Sequence, residues 1–463
     1  MMFRSASRSF LNARALLGAA ALTLLAFAPG AQAAPFQVGI QSNNTLIYGA
    51  TTPEGRGEAL DKLRATGARV VRISMPWRMV AGNTGACAGQ TPELLRDHNH
   101  PCYNWGVFDQ VIQGARQRQM DIVASIYEIP SWVNESDQAS YTGTDALFAS
   151  RVVPHWQAFQ FAAASRYNTS SPYGFVRYWT IHNEPNSAIF WTPIKTSAAR
   201  YPVLFRAVAP EIRAASPSAL IAGGPTGPRS TVKPGKWLKA VLPAMTRNGS
   251  RPFLDAWAHN PYAGLPVGPR VRATRLPDIG ISNIADLVKL LDSYAVTRKK
   301  PIWATEFAWQ TSPPDRLFGT APVNQATYLA EALDIMESTK RFRMAIWYAL
   351  VDPTDIPGDF QSGFYTATGA VKPSLAMFMR PISRSVVKAK RGTAVRIWGA
   401  SVVSPGTPQI QISLNGKSFK KVAGQRRGST GTTSVTVMAR QTFWVRTKDA
   451  KGAGPSRKVV VRR

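Results

Sequence analysis

Cysteine is almost missing from this chain: Cys87 and Cys102 are the two among 463 residues. Neither has the paired spacing of a zinc ligand set, and the five histidines form no convincing metal cluster. His98 and His100 stand two apart in "DHNH" (97–100), a polar stretch that reads as a solvated loop. There is no Walker loop and no G-x-S-x-G elbow, and "GIQSNN" (39–44) is not a glycine-rich phosphate turn. The sequence therefore predicts no metal and no cofactor. Acid is scarce as well: 26 Asp/Glu against 56 Lys/Arg leave a formal net charge of +30. No low-complexity tract is present, and beyond residue 33 no apolar run approaches the roughly 20 residues of a membrane helix.

What is present begins with an export pattern. Arg4, Arg8 and Arg14 give a positive start, "ALLGAAALTLLAFA" (15–28) an apolar core, and Ala31-Gln32-Ala33 a cleavage site. Residues 1–33 read as a signal peptide, with an uncleaved anchor as the alternative, and the mature chain as secreted and extracellular. In such surroundings Cys87 and Cys102 read as one disulfide closing a surface loop, and unpaired thiols are disfavoured. Closing a loop of that size contributes about 3 kcal/mol in the chain-entropy picture. The positive charge is unevenly spread. Residues 384–463 hold 18 Lys/Arg and a single acid, Asp449, so they supply +17 of the total.

Between Phe36 and Arg380 one rhythm repeats, an apolar strand followed by an amphipathic helix. Eight strands are expected: 36–41, 69–77, 121–130, 176–185, 219–225, 254–262, 301–309 and 343–352. Helical patterns fall between them at 105–118, 146–167, 198–215, 284–298 and 323–340. Eight βα units with near-continuously apolar strands predict a (β/α)8 barrel, with an open doubly wound sheet as the alternative. After Arg380 the period changes to two, in segments separated by Gly, Pro and Asn turns, which predicts a small antiparallel β-sandwich. The expected divisions are 1–33, a catalytic barrel over 34–382, and a basic, immunoglobulin-like sandwich over 383–463.

Active sites of such barrels lie at the C-terminal ends of the strands. The fourth strand ends at Asn183-Glu184 and the seventh near Glu306, so two carboxylates should face one mouth. Glycoside hydrolysis requires that pair: one carboxyl protonates the leaving oxygen while the other attacks the anomeric carbon. Either Glu alone is explained as readily by an ion pair at the barrel rim. Together, with the stretches "WTIHNEPNSAIFWTP" and "FRAVAPEIRAASPSALIAGGP", they make residues 36–380 resemble the clan of retaining (β/α)8 glycoside hydrolases. That clan includes families 5, 39 and 51, and the likeness is greatest to family 39 and cellulase-like bacterial chains.

The resemblance implies Glu184 as acid/base, Glu306 as nucleophile, and Asn183 as donor to the sugar 2-hydroxyl. Arg72 corresponds to an Arg beside the nucleophile, Tyr262 to a Tyr bonded to it, and Trp347 to an aromatic floor under the scissile sugar. Strand six ends "AHNPY", where related chains often place His directly before Pro-Tyr. Either His259 or Asn260 is therefore expected to face the site. Trp132, Trp191 and Trp309 lie just past strand ends, as further subsites or as rim packing. The expected ligand is a polysaccharide or oligosaccharide. The basic C-terminal region points to an anionic envelope or an acidic polysaccharide rather than to nucleic acid, for which it has no reading motif. A non-catalytic, carbohydrate- or envelope-binding barrel is the alternative from another class. Long segments after strands two (78–104), three (131–145) and six (263–282) would shape the mouth.

Overall fold

The computed structural model describes residues 36–82, 85–134, 148–246, 252–354, 360–428 and 431–463. The expected signal peptide and most of the segment after strand three lie outside these. Among the described residues, no helix is long and apolar enough to cross a membrane.

Eight parallel strands close into a barrel: β1 (Gln37–Gln41), β2 (Val70–Pro76), β3 (Asp121–Tyr127), β4 (Tyr178–Ile181), β5 (Leu220–Thr226), β6 (Ala256–His259), β7 (Ile302–Phe307) and β8 (Phe342–Tyr348). β8 pairs with β1 to complete the ring, Ile40 standing opposite Trp347. A helix follows each strand: α1 (Pro53–Ala65), α2 (Gly106–Gln117), α3 (Val153–Arg166), α4 (Ser197–Ala215), α5 (Pro234–Met245), α6 (Ile284–Asp292), α7 (Pro322–Ser338) and α8 (Pro373–Met379). α1 shows why a helix starts where it does. The Thr52 side chain accepts from the Gly55 N–H at 3.1 Å, and Pro53 occupies the first turn, where a missing N–H costs nothing. α2 buries Phe108, Val111, Ile112 and Ala115, one stripe at helical spacing. α6 stops earlier than its pattern suggests, because Thr297 bonds back to Leu291 O at 2.7 Å and Lys299 takes φ 61°.

Side chains alternate along each strand between the barrel interior and the helix layer. Val70, Val123, Tyr178, Ala222, Ala256, Ala258, Trp303, Met344 and Ile346 fill the interior as a cluster separate from the outer core. The alanines leave room for Tyr178 and Trp303, whose rings meet edge-on at 5.2 Å. This packed floor puts any cavity at the strands' C-terminal end.

The C-terminal region forms two further sheets. One holds β9 (Ile382–Arg384), β11 (Ala394–Ala400), β13 (Thr432–Met438) and the short strand Arg426–Arg427. The other holds β10 (Lys388–Lys390), β15 (Arg457–Arg462), β14 (Phe443–Asp449), β12 (Gln409–Ser413) and Lys420–Lys421. The result is a β-sandwich, with one departure from the all-antiparallel expectation: β10 runs parallel to β15. The chain crosses from one sheet to the other between Arg384 and Lys388. Continuing in one direction, it is antiparallel to β11 and parallel to β15. The Cys87–Cys102 disulfide is formed in the segment after β2.

Candidate active site

The mouth of the barrel opens into a cavity of about 730 Å³ that contains Asn183, Glu184, Tyr262, Glu306 and Trp309. β4 delivers its carboxylate through a contorted turn. His182 takes φ 69° and Glu184 φ 38°, a region that side chains other than Gly rarely adopt. The turn is held on both sides: Glu184 N–H donates to Pro225 O at 2.9 Å, and Ser187 N–H to Glu184 O at 2.8 Å. His182, buried behind it, contacts Asn183 O through Nδ1 at 2.8 Å, and burial pushes its imidazole down to about 4.

Arg72 rises from β2, fully buried, and organises the centre. Nη1 donates to both Glu306 Oε1 and Gln41 Oε1, and Nη2 donates to Asn183 Oδ1 at 2.8 Å. The second oxygen of Glu306 accepts from the Tyr262 hydroxyl at 3.0 Å. Glu184 has different surroundings. Its Oε1 accepts from Asn260 Nδ2 at 2.9 Å, and Ser230 bonds the same carboxyl. Burial pushes Glu184 up to about 7, and the nearby Glu306 charge pushes in the same direction. One carboxylate is thus ion-paired while the other is arranged to keep its proton near neutrality.

Asn260, not His259, faces the site. Ala256 and Ala258 point inward on β6, and Asn260 continues that alternation, its Oδ1 fixed by Thr305 Oγ1 at 2.7 Å. His259 points outward between Thr226 Oγ1 at 2.8 Å and Ile279 O at 3.0 Å, and burial lowers its imidazole to about 4. The expected aromatic floor moves by one residue for the same reason. Trp347 is fully buried in the outer layer, stacked on Phe364 at 5.6 Å with its Nε1 donating to Ser362 O at 3.0 Å. Tyr348 follows Met344 and Ile346 inward and lines the cavity.

Of the outlying tryptophans, Trp309 reaches the cavity, with its Nε1 tied to Val267 O at 2.9 Å. Trp132 does not line it: its Nε1 donates to Gly82 O at 3.0 Å and its ring packs on Trp77 at 6.2 Å. Trp191 is likewise buried, against His182 at 5.0 Å. Sequence reasoning missed Tyr48, Tyr127 and Phe360, which give the mouth aromatic walls. Tyr127 was legible, since it continues the inward series Val123 and Ser125. Tyr48 and Phe360 sit outside the strands, where no period points to them. Among the described lining residues, Arg229 is the one cation, and Glu184 and Glu306 are the only carboxylates.

No family model matches the sequence, and no curated protein matches it. Solved structures do share its fold. A family 39 glycoside hydrolase from Bacteroides cellulosilyticus WH2 superposes with a TM-score of 0.57 at 13% identity, over 88% of this chain and 81% of that one. A glucosidase from Croceicoccus marinus gives 0.53 at 13% identity, over 92% and 81%. A GH5_18 structure from Streptomyces cattleya in complex with GlcNAc gives 0.52 at 16% identity, over 74% and 79%.

Proposed function

We propose that this protein is a secreted, retaining O-glycosyl hydrolase acting on a polysaccharide or oligosaccharide. The observation that carries the reading is the unequal treatment of two carboxylates at one mouth. Glu306 is paired with Arg72 and Tyr262, whereas Glu184 is half-buried with no cation bonded to it, and desolvation raises it to about 7. The glycoside hydrolases among the structural neighbours agree with it at the level of fold.

In the first step a Glu306 oxygen attacks the anomeric carbon. The bond to the leaving oxygen breaks, and that oxygen takes the Glu184 proton. Glu184, now ionised, removes a proton from water, whose oxygen attacks the same carbon. The ester to Glu306 breaks, and both carboxyl groups return to their starting states. Asn183 supports the sugar: with its Oδ1 occupied by Arg72, its amide nitrogen is left to donate to the 2-hydroxyl. Tyr48, Tyr127, Tyr348 and Phe360 offer flat surfaces to the C–H faces of the rings.

The test is turnover of an aryl glycoside and polysaccharide panel. Glu306→Ala should fall to background. Glu184→Ala should lose about 10²–10⁴-fold on substrates with poor leaving groups and far less on activated aryl glycosides. The released sugar should keep its anomeric configuration. An inverted product, or equal loss on both leaving-group classes, would remove these assignments.

A further inference from the structure

We propose that the outer face of the sheet β10–β15–β14–β12 is a docking surface for a carboxylate-bearing polysaccharide. The face is defined by register. In β14, Phe443, Val445 and Thr447 are buried toward the sandwich core, which turns Trp444, Arg446 and Lys448 outward. Trp444 stands opposite Lys458, and Arg446 opposite Gln411, which in turn stands opposite Lys421. At the far edge Lys390 stands directly opposite Arg462. With Lys388, which alternates onto the side of Lys390, seven cations therefore share one face. The region's single acid, Asp449, follows the inward series and is tied to Arg380 at 2.9 Å and Ser401 at 2.6 Å.

Such a face is not built for stability. Like charges directly opposite in a strand pair, as Lys390 and Arg462 are, are destabilising. A surface serving solubility alone would intersperse acids. Two of the cations also lie over aromatic rings. The Lys458 ammonium lies 4.9 Å from the Trp444 ring centroid. The Arg446 guanidinium lies 4.1 Å from that of Phe419, with its Nε donating to Gln411 Oε1 at 2.9 Å. Charge beside flat apolar surface suits a polymer that alternates carboxylates with the C–H faces of sugar rings. Nucleic acid also offers charge and flat bases, so the choice of glycan rests on the glycosidase reading. The mouth is consistent with it, since its described lining includes a cation, Arg229.

The experiment uses the full chain carrying Glu306→Gln, so that the probe is not consumed. Affinity is measured for polygalacturonate, dextran and double-stranded DNA at 50 and 300 mM salt. Polygalacturonate should bind at least tenfold more tightly than dextran. Binding should fall about tenfold or more with the added salt, because exposed charges are screened over about 8 Å at physiological ionic strength. The combined change Lys390→Glu, Lys448→Glu and Lys458→Glu should cause a similar loss with no fall in thermal midpoint. If the reversals impair folding, Lys448→Gln with Lys458→Gln should still weaken binding two- to fivefold. Equal binding of dextran, undiminished binding by the folded variants, or tighter binding of DNA overturns the proposal. Aryl glycoside turnover by the Glu306-bearing chain is measured separately. A chain that binds polygalacturonate through this face yet hydrolyses no glycoside would sink the enzymatic reading and leave the docking surface standing.

Discussion

At the scale of single residues, the informative group is Glu184, because its surroundings set a pH dependence with a definite sign. In the proposed mechanism this carboxyl is protonated in the free protein, so kcat/KM should decline as pH rises through about 7. Asn260 donates to the carboxylate and favours the ionised form. Asn260→Ala should therefore move the basic limb upward, and an unmoved or lowered limb would show that Asn260 does not tune the acid. The same shift makes a statement about stability. A carboxyl raised from 4.5 to about 7 on folding binds its proton more tightly in the native state. Its contribution is favourable below pH 4.5 and is lost as pH rises from there through about 7. Glu184→Gln should accordingly be more stable than the parent at pH 8, by up to about 3 kcal/mol, when denaturant midpoints are compared.

At the scale of elements, the acid depends on the loop after β5 as much as on β4. A Cβ on Gly227 would lie 2.1 Å from Ser230 Oγ and 2.5 Å from a Glu184 carboxylate oxygen, so the absent side chain makes room for the acid. Gly227→Ala should lower kcat on poor leaving groups by an order of magnitude or more, since small displacements of a catalytic group are costly. Its thermal midpoint should stay close to that of the parent. A variant with parental kcat would mean the loop yields easily. Strand ends also show what was legible in the sequence. The eight strands and both glutamates could be read because buried parallel strands are continuously apolar and polar residues mark where they stop. Facing was harder. Counting inward from Ala256 and Ala258 selects Asn260 over His259, and counting from Met344 and Ile346 selects Tyr348 over Trp347. Two things hide that count. The apolar runs do not distinguish interior from helix layer, and β8 shifts register against β7 between Ala345 and Trp347. The turn at His182–Glu184 breaks the period outright, because positive φ re-aims the side chains.

At the scale of the molecule, the sandwich is joined to the barrel through buried polar groups on α7. Asp334, 2% exposed at its side chain, accepts from Arg270 at 2.6 Å, Arg396 at 2.6 Å and Ser383 at 2.9 Å. Its neighbour Glu337 accepts from Thr432 at 3.1 Å and Trp398 Nε1 at 3.3 Å. Glu331 is buried nearby, and burial raises its carboxyl while lowering Arg384 and bringing Arg457 down to about 10. Groups like these are costly to strand: separating the two parts would strip Asp334 of Arg396 and Ser383, strip Glu337 of Thr432 and Trp398, and leave the Arg396 guanidinium without its carboxylate. The parts should therefore unfold together. Calorimetry of the full chain is expected to show one transition. Asp334→Ala should lower that transition as a whole, by about 2–3 kcal/mol, because both arginines are partly exposed and water screens part of the loss. Two transitions, with the substitution moving only one of them, would show the sandwich to be an independent module. A chain ending at residue 381 would then stay folded and active, whereas the buried α7 contacts predict that it precipitates.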